Sequence, residues 1–498
     1  MHLSRRQFLA SAAATGGLAA APTLLLPARA AAAAYPTTIT AGTRVIEVNG
    51  RAATVFGLTQ PNGRHGLVVD AGQRLKVRLD NRTGEDTAIH WHGLTPPWRQ
   101  DGVNGISQDL IAPGRSHDYD FLVAKPGTNW MHSHAGLQEQ RLLAAPLIVR
   151  DPAEASEDVQ DVVVMFHDFT FRDPEEILAG LRHGGHGAAL GADAGSGGHA
   201  AHGAVSAEAS GLGAHGMHGV KDAESATRSI THLQDIQYDA LLANDRTLDD
   251  PEVFSVERGG RVRLRLINGA ASTNMWIDLD RLKGSLVAVD GMSVQPIEGS
   301  RFEFAVAQRL DIVLDIPRDG GAWPVFAVQE GSRSRTGFVL AASGAEIEKL
   351  EIVAATEYAA VGADLEQRLR ALNPLPDRPA DRQHTMMLGE AAGYVWTLDG
   401  KVHGEDAPLR VSEGERFELT FMNHSTMSHP MHLHGHHFQV VALNGRRMSG
   451  AVRDTVLLPA AMGSVTVAFD AGNPGRWALH CHHLYHMAGG MMTSLEYA

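Results

Sequence analysis

The sequence predicts an all-β protein in which one strand-rich unit is used three times. Its 498 residues suggest about three domains at roughly 150 residues each. A segment opening on glycine and closing on asparagine recurs with identical spacing, as Gly72 to Asn81 (GQRLKVRLDN), Gly259 to Asn268 (GGRVRLRLIN) and Gly414 to Asn423 (GERFELTFMN). Within each copy the apolar residues alternate, as Leu75/Val77/Leu79, Val262/Leu264/Leu266 and Phe417/Leu419/Phe421, the period-two pattern of a half-buried strand.

In chain order, residues 1–34 read as an export signal. Ser4-Arg5-Arg6-Gln7-Phe8-Leu9 precedes a short alanine and leucine stretch and then Ala28-Arg29-Ala30. Twin arginines followed by Phe-Leu point to the machinery that exports folded proteins, with cleavage near Ala30 and a soluble periplasmic product. The apolar stretch is too short for a membrane anchor. The first unit, 35–152, contains His90-Trp91-His92-Gly93 and His132-Ser133-His134. The second, 160–343, begins with a strand over Val162 to Phe171, has no His-x-His and reads as a spacer. A glycine, alanine and histidine tract at 183–219 lies inside it, carrying His183, His186, His199, His202, His215, His218 and Met217. Few large apolar residues are present to repay ordering, so the tract is either a solvated loop or a metal-gathering arm. A connecting strap at 344–383 contains a helical piece, Ala363 to Leu372, stopped by Asn373-Pro374. The third unit, 384–498, echoes the first: Pro474-Gly475 precedes His480 at the same offset as Pro126-Gly127 precedes His132.

The chemistry is densest in this last unit. His480-Cys481-His482-His483-Leu484-Tyr485-His486 leads to Met491, and His429-Pro430-Met431-His432-Leu433-His434 lies upstream. A thiolate with two imidazoles and a weak axial thioether selects copper and makes an electron-transfer site. In a strand, side chains two apart share a face, so each His-x-His aims both rings into one cavity. His480 and His482 then face one way while Cys481 faces the other, and two metal centres share one tripeptide.

Cys481 is the only cysteine, which excludes an internal disulfide, and a free thiol in an oxidising compartment is protected if it is metal-bound and buried. Formal charge is −14; without Arg5, Arg6 and Arg29 it becomes −17. That balance argues against nucleic acid or an anionic membrane as partner and favours cations.

These four histidine segments resemble the four copper motifs of the multicopper oxidases, and the likeness runs through the mature chain. The resemblance implies three cupredoxin-like Greek-key β-sandwich domains and four copper ions. His429, Cys481 and His486 would hold the type 1 (blue) copper, with Met491 axial, and His90 and His432 the type 2 copper. The type 3 pair would take His92, His132 and His482 on one ion and His134, His434 and His480 on the other. His436, His437 and His483 match no ligand position and read as supporting or surface residues. The first and third domains must then meet face to face. The implied reaction takes electrons one at a time from a reductant, passes them through Cys481 to His480 and His482, and reduces dioxygen to water.

Asp101, in Gln100-Asp101-Gly102, matches an acid that the family places near the type 2 copper as a proton relay, and it also suits a turn before glycine. The acid some relatives carry after the last type 1 histidine is replaced here by Met487, and the acid that cuprous oxidases carry four residues before the first is replaced by Ser425. An axial methionine implies a lower-potential oxidase. Met427, with Met431, Met448, Met462, Met487 and Met492, reads either as core packing or as soft ligands for cuprous ion. Cuprous ion is therefore the expected reductant, with phenols and aromatic amines also oxidised. Bilirubin-type or manganese oxidation, a copper-sequestering protein and a metal-free cell-division protein are the alternatives. A copper nitrite reductase lacks the type 3 set.

Overall fold

The structure is a computed structural model and describes residues 37–184, 233–460 and 463–498. The signal segment, His186, His199, His202, His215, Met217, His218 and Met462 lie outside the described residues. Among those described, no helix is long and apolar enough to cross a membrane.

Six sheets pair into three cupredoxin-like sandwiches along the chain: a four-stranded pair, then sheets of six and five strands, then sheets of seven and five. The repeated segment occupies the same place in each. Gln73–Arg82 pairs in parallel with Thr37–Val48 and antiparallel with Ser116–Val123. Arg261–Asn268 lies likewise between Val159–Phe169 and Arg309–Asp315, and Arg416–Asn423 between Arg382–Ala391 and Ser464–Asp470.

The closing asparagine has a physical reason. Asn81, Asn268 and Asn423 are all fully buried. In each, the side-chain oxygen accepts from the backbone N–H two residues on, and the amide donates to two backbone carbonyls: Glu85 and Ile111, Thr273 and Phe304, Met427 and Pro459. One side chain thus satisfies groups that a buried loop would leave unpaired. It also fixes the exit direction of the chain.

Each third has its own apolar core, centred on Leu75, Val77 and Leu79 in the first, Leu264, Leu266 and Ile312 in the second, and Leu419, Phe421 and Val467 in the third. Leu137, Ile177, Leu181 and Ile236 extend the third core, so the sandwiches are docked through apolar contact.

Two expectations are corrected. The strand Arg261–Asn268 is buried on both faces, because Arg263 and Arg265 turn to Glu154, Glu157, Asp161 and Asp311 rather than to water. The strap helix spans only Asp364–Arg368, because Leu369 turns extended into the core and Ala371 bridges to Val294. The opening strand of the third sandwich, Arg382–Ala391, begins just inside the expected strap.

Candidate metal centres

The ligand-bearing strands are arranged alike in the outer thirds. Ile89–His92 pairs with Gly127–Ser133 so that His90 stands opposite His132, and His429–Leu433 pairs with Arg476–Cys481 so that His432 stands opposite His480. The two sheets bring eight imidazoles around one cavity. His90, His92, His132, His134, His432, His434, His480 and His482 are all 9% exposed or less. Donor atoms of His90, His92 and His132, of His90, His432 and His434, and of His134, His434 and His480 each lie within 4.8 Å of one another. The groups overlap, as rings about a shared cavity must.

On the opposite face of the strand that ends at Cys481, a second set forms. Sγ of Cys481 is 3.6 Å from Nδ1 of His429 and 3.7 Å from Nδ1 of His486, and those nitrogens are 3.2 Å apart. Met491 is fully buried, and its backbone bonds to both Cys481 and His486.

Contacts between ring nitrogens test whether a cation fits. Nε2 of His434 and of His480 are 3.0 Å apart, Nε2 of His134 and of His480 3.4 Å, Nδ1 of His92 and Nε2 of His132 3.4 Å, and Nε2 of His90 and of His432 3.5 Å. The far nitrogens of most of these rings are held by acceptors. His434 turns Nδ1 to Asp101, His480 to the Cys481 carbonyl and His432 to the Asp454 carbonyl, while His92 turns Nε2 to the Asp454 carboxylate. A neutral imidazole has one N–H, so the inward nitrogens face each other with lone pairs. Only a shared cation makes that arrangement favourable, and carboxylate or carbonyl behind imidazole is the usual support of a metal ligand. The residues fit the expected group.

Electrostatics agree. Burial, reinforced by neighbouring rings, holds His92, His132, His434, His480 and His482 well below the ordinary histidine range and His134 at about 3, so these six rings are neutral. Burial raises the Cys481 thiol, and a coordinated cation would reverse that by favouring the thiolate. Burial works against ionisation of Asp454, but the Arg309 guanidinium together with hydrogen bonds from His432 and His92 holds the carboxyl well below its usual value.

Asp101 both ends a turn and sits against the histidine cage. It closes the turn Trp98–Gln100, it is fully buried, and its carboxylate lies 2.9 Å from Nδ1 of His434 and 3.2 Å from Nδ1 of His90. Gly102 follows at φ 86°, where a Cβ would strike the Ile89 carbonyl beside His90. Met427 is buried in the third core at 2% exposure, and His183 is exposed in the last turn of the helix Pro174–Gly184. His436 and His483 are buried rather than superficial: His436 bonds the Tyr497 hydroxyl and the His434 carbonyl, and both ring nitrogens of His483 lack a partner.

Apart from Asp101 and Ser425, sequence reasoning missed the residues that hold the candidate ligands. Asp454 faces His92 and His432, Glu139 faces His132 and His482, Ser425 bonds Nε2 of His429 at 2.6 Å, and Asp235 bonds Nε2 of His486 at 3.0 Å. Asp235 and Arg309 belong to the middle third, which is therefore more than a spacer.

Family models described as multicopper oxidase match residues 44–154, 214–344 and 376–498. The chain is 29% identical to the multicopper oxidase MmcO of Mycobacterium tuberculosis, over 99% of this chain and 96% of that protein. It is 25% identical to copper resistance protein A of Escherichia coli, over 95% and 94%. Among solved structures, a multi-copper oxidase from Pseudomonas thermotolerans superposes with a TM-score of 0.67 at 22% identity, covering 93% of this chain and 99% of that one. A laccase from Botrytis aclada superposes with a TM-score of 0.71 at 20% identity, covering 93% and 88%. Matched in all three sandwiches, and carrying donor sets that fit the metal, the chain belongs to the multicopper oxidase family of copper-binding oxidoreductases that use dioxygen as acceptor.

Proposed function

We propose that the protein is a periplasmic cuprous oxidase serving copper tolerance, with laccase-like activity on phenols and aromatic amines, exported folded by the twin-arginine route. On this reading it holds four copper ions per chain: one at His429, Cys481, His486 and axial Met491, one at His90 and His432, and a pair shared by His92, His132 and His482 with His134, His434 and His480. Bound copper would supply one-electron oxidation at the first site and four-electron reduction of dioxygen to water at the other three. The chain supplies the geometry. Cys481 belongs to one donor set while its neighbours His480 and His482 belong to the other, so the two sets are joined by a single tripeptide. Asp101, placed between His90 and His434, is the proton relay.

The observation that carries the cuprous reading is Asp235. Its carboxylate, 4% exposed, caps the outer nitrogen of His486 and accepts from the Tyr394 hydroxyl at 2.6 Å, while Trp396 stacks on the same ring at 3.8 Å. A phenol would have to bring its ring against an edge already occupied. A small cation needs only the negative charge. The described residues that flank the histidine tract in sequence reach this region: Arg182 donates to the Ala488 carbonyl, and Asp235 meets His486. This supports a copper-gathering arm, and relatives named copper resistance protein A support the same physiology.

Steady-state dioxygen uptake with cuprous ion, a phenol and manganous ion as competing reductants tests the substrate. Cuprous ion is expected to give the highest kcat/KM, and the lowest of the three would refute the assignment. Four coppers per chain are expected; none would indicate a structural protein, and more with little turnover a sequestrant. Deleting residues 183–219 should abolish activation by added copper while leaving the blue colour.

A further inference from the structure

Glu139 lies in the loop that follows His132 and His134, and its two oxygens face two different rings. Oε2 is 2.9 Å from Nδ1 of His132, and Oε1 is 3.7 Å from Nδ1 of His482. The residue is 3% exposed, and Oε1 has no hydrogen-bond partner. Nδ1 of His132 also lies 3.0 Å from the Ser133 carbonyl. Both rings turn their other nitrogen inward: Nε2 of His132 faces His92, and Nε2 of His482 is buried without a partner.

Glu139 is one of three carboxylates that each span the seam between the outer thirds. Asp101 joins His90 to His434, Asp454 joins His92 to His432, and Glu139 joins His132 to His482. In every pair one ring comes from the first sandwich and one from the third. Glu139 differs in that both of its rings serve, on the ligand assignment proposed above, the same ion of the type 3 pair.

We infer that Glu139 is a positioning residue of the type 3 centre, accepting from Nδ1 of His132 and of His482 together and so setting the angle at which both rings present Nε2. The longer contact tightens to a hydrogen bond once Nε2 of His482 is ligated, as contacts in ligand-free sites commonly do. A carboxylate suits this task because it offers an acceptor oxygen to each ring. An amide of the same size offers one oxygen and turns an N–H donor toward the other ring.

The test uses the copper-replete enzyme and its Glu139→Gln and Glu139→Asp variants, read by copper content, the visible blue band, the near-ultraviolet absorption of the type 3 pair and dioxygen uptake. In Glu139→Gln the blue band should keep wild-type intensity while type 3 absorption and copper content fall and dioxygen uptake drops roughly 10- to 100-fold, the usual range for partners of metal ligands. Glu139→Asp, with two acceptor oxygens on a shorter stem, should recover part of the type 3 signature. Wild-type protein without four coppers and both absorptions would overturn the ligand assignment on which this inference rests. Given a normal wild type, a Gln variant unchanged in all four readings would overturn the role of Glu139. Loss of the blue band together with the type 3 signature would make it a residue of the fold and overturn that role equally.

Discussion

Ser425 stands where some cuprous oxidases carry an acid, and its contacts give the substitution a consequence. The hydroxyl accepts from Nε2 of His429 and donates to Oδ1 of Asn423 at 2.9 Å, so it is fully used and neutral. A neutral acceptor draws less negative charge onto the imidazole than a carboxylate, and ligand basicity tunes a copper site. Ser425→Asp should therefore lower the type 1 potential and Ser425→Ala raise it, read by redox titration of the blue band; three equal potentials would show that this bond tunes nothing. Asp235 acts at the other ring. Asp235→Asn keeps an acceptor oxygen but removes the charge, and should raise KM for cuprous ion roughly 10-fold while leaving KM for a phenol in place. An equal rise for both would mean that Asp235 serves only to orient His486.

The recurring strand and its asparagine show at the level of elements what was legible beforehand. Gly72 to Asn81 and its two echoes announce three equivalent strands because period-two burial is local, and each indeed lies between a parallel and an antiparallel partner. The asparagine was visible as punctuation, but its work on carbonyls up to 36 residues away was not. The candidate metal ligands follow the same rule. His-x-His is written along one strand and can be read, whereas His92 meets Asp454 across 362 positions and His486 meets Asp235 across 251, separations that no periodicity encodes. The asparagines should also differ in what they protect. Asn268→Ala, in the sandwich that carries no His-x-His pair, should cost roughly 2–4 kcal/mol by denaturant unfolding, since it leaves buried carbonyls unpaired, with the copper count unchanged. Asn423→Ala frees the loop that holds Ser425 against His429 and should bleach the blue band as well. Equal copper content in the two variants would refute the distinction.

Across the whole molecule the thirds are joined by a buried ionic chain. Glu366 of the strap pairs with Arg453, Arg453 with Asp290 at 2.8 Å, and Arg309 with Asp454 through two hydrogen bonds, while Nε of Arg309 reaches the Thr128 carbonyl of the first sandwich. Asp454 ends this chain on His92 and His432. Arg309→Met would strand that carboxylate in the interior, which costs roughly 3–5 kcal/mol. It should empty the cage of histidines before it touches the blue site. Acid attacks a different place. His167, near the seam of the first two thirds, is 3% exposed, bonds the Gly269 carbonyl at 2.8 Å, and is held by burial at about 4. Below its unfolded value of 6.5 the unfolded chain takes a proton that the folded one refuses, so the contribution of His167 is complete above that pH and is lost as pH falls toward 4. A depression of this size corresponds to roughly 3 kcal/mol. His167→Asn keeps an N–H near the Gly269 carbonyl but cannot titrate, and the histidines of the cage act equally in both proteins. The stability difference between wild type and variant, measured by urea unfolding, should shrink by about that amount between pH 7 and pH 4; parallel curves would place the acid sensitivity elsewhere.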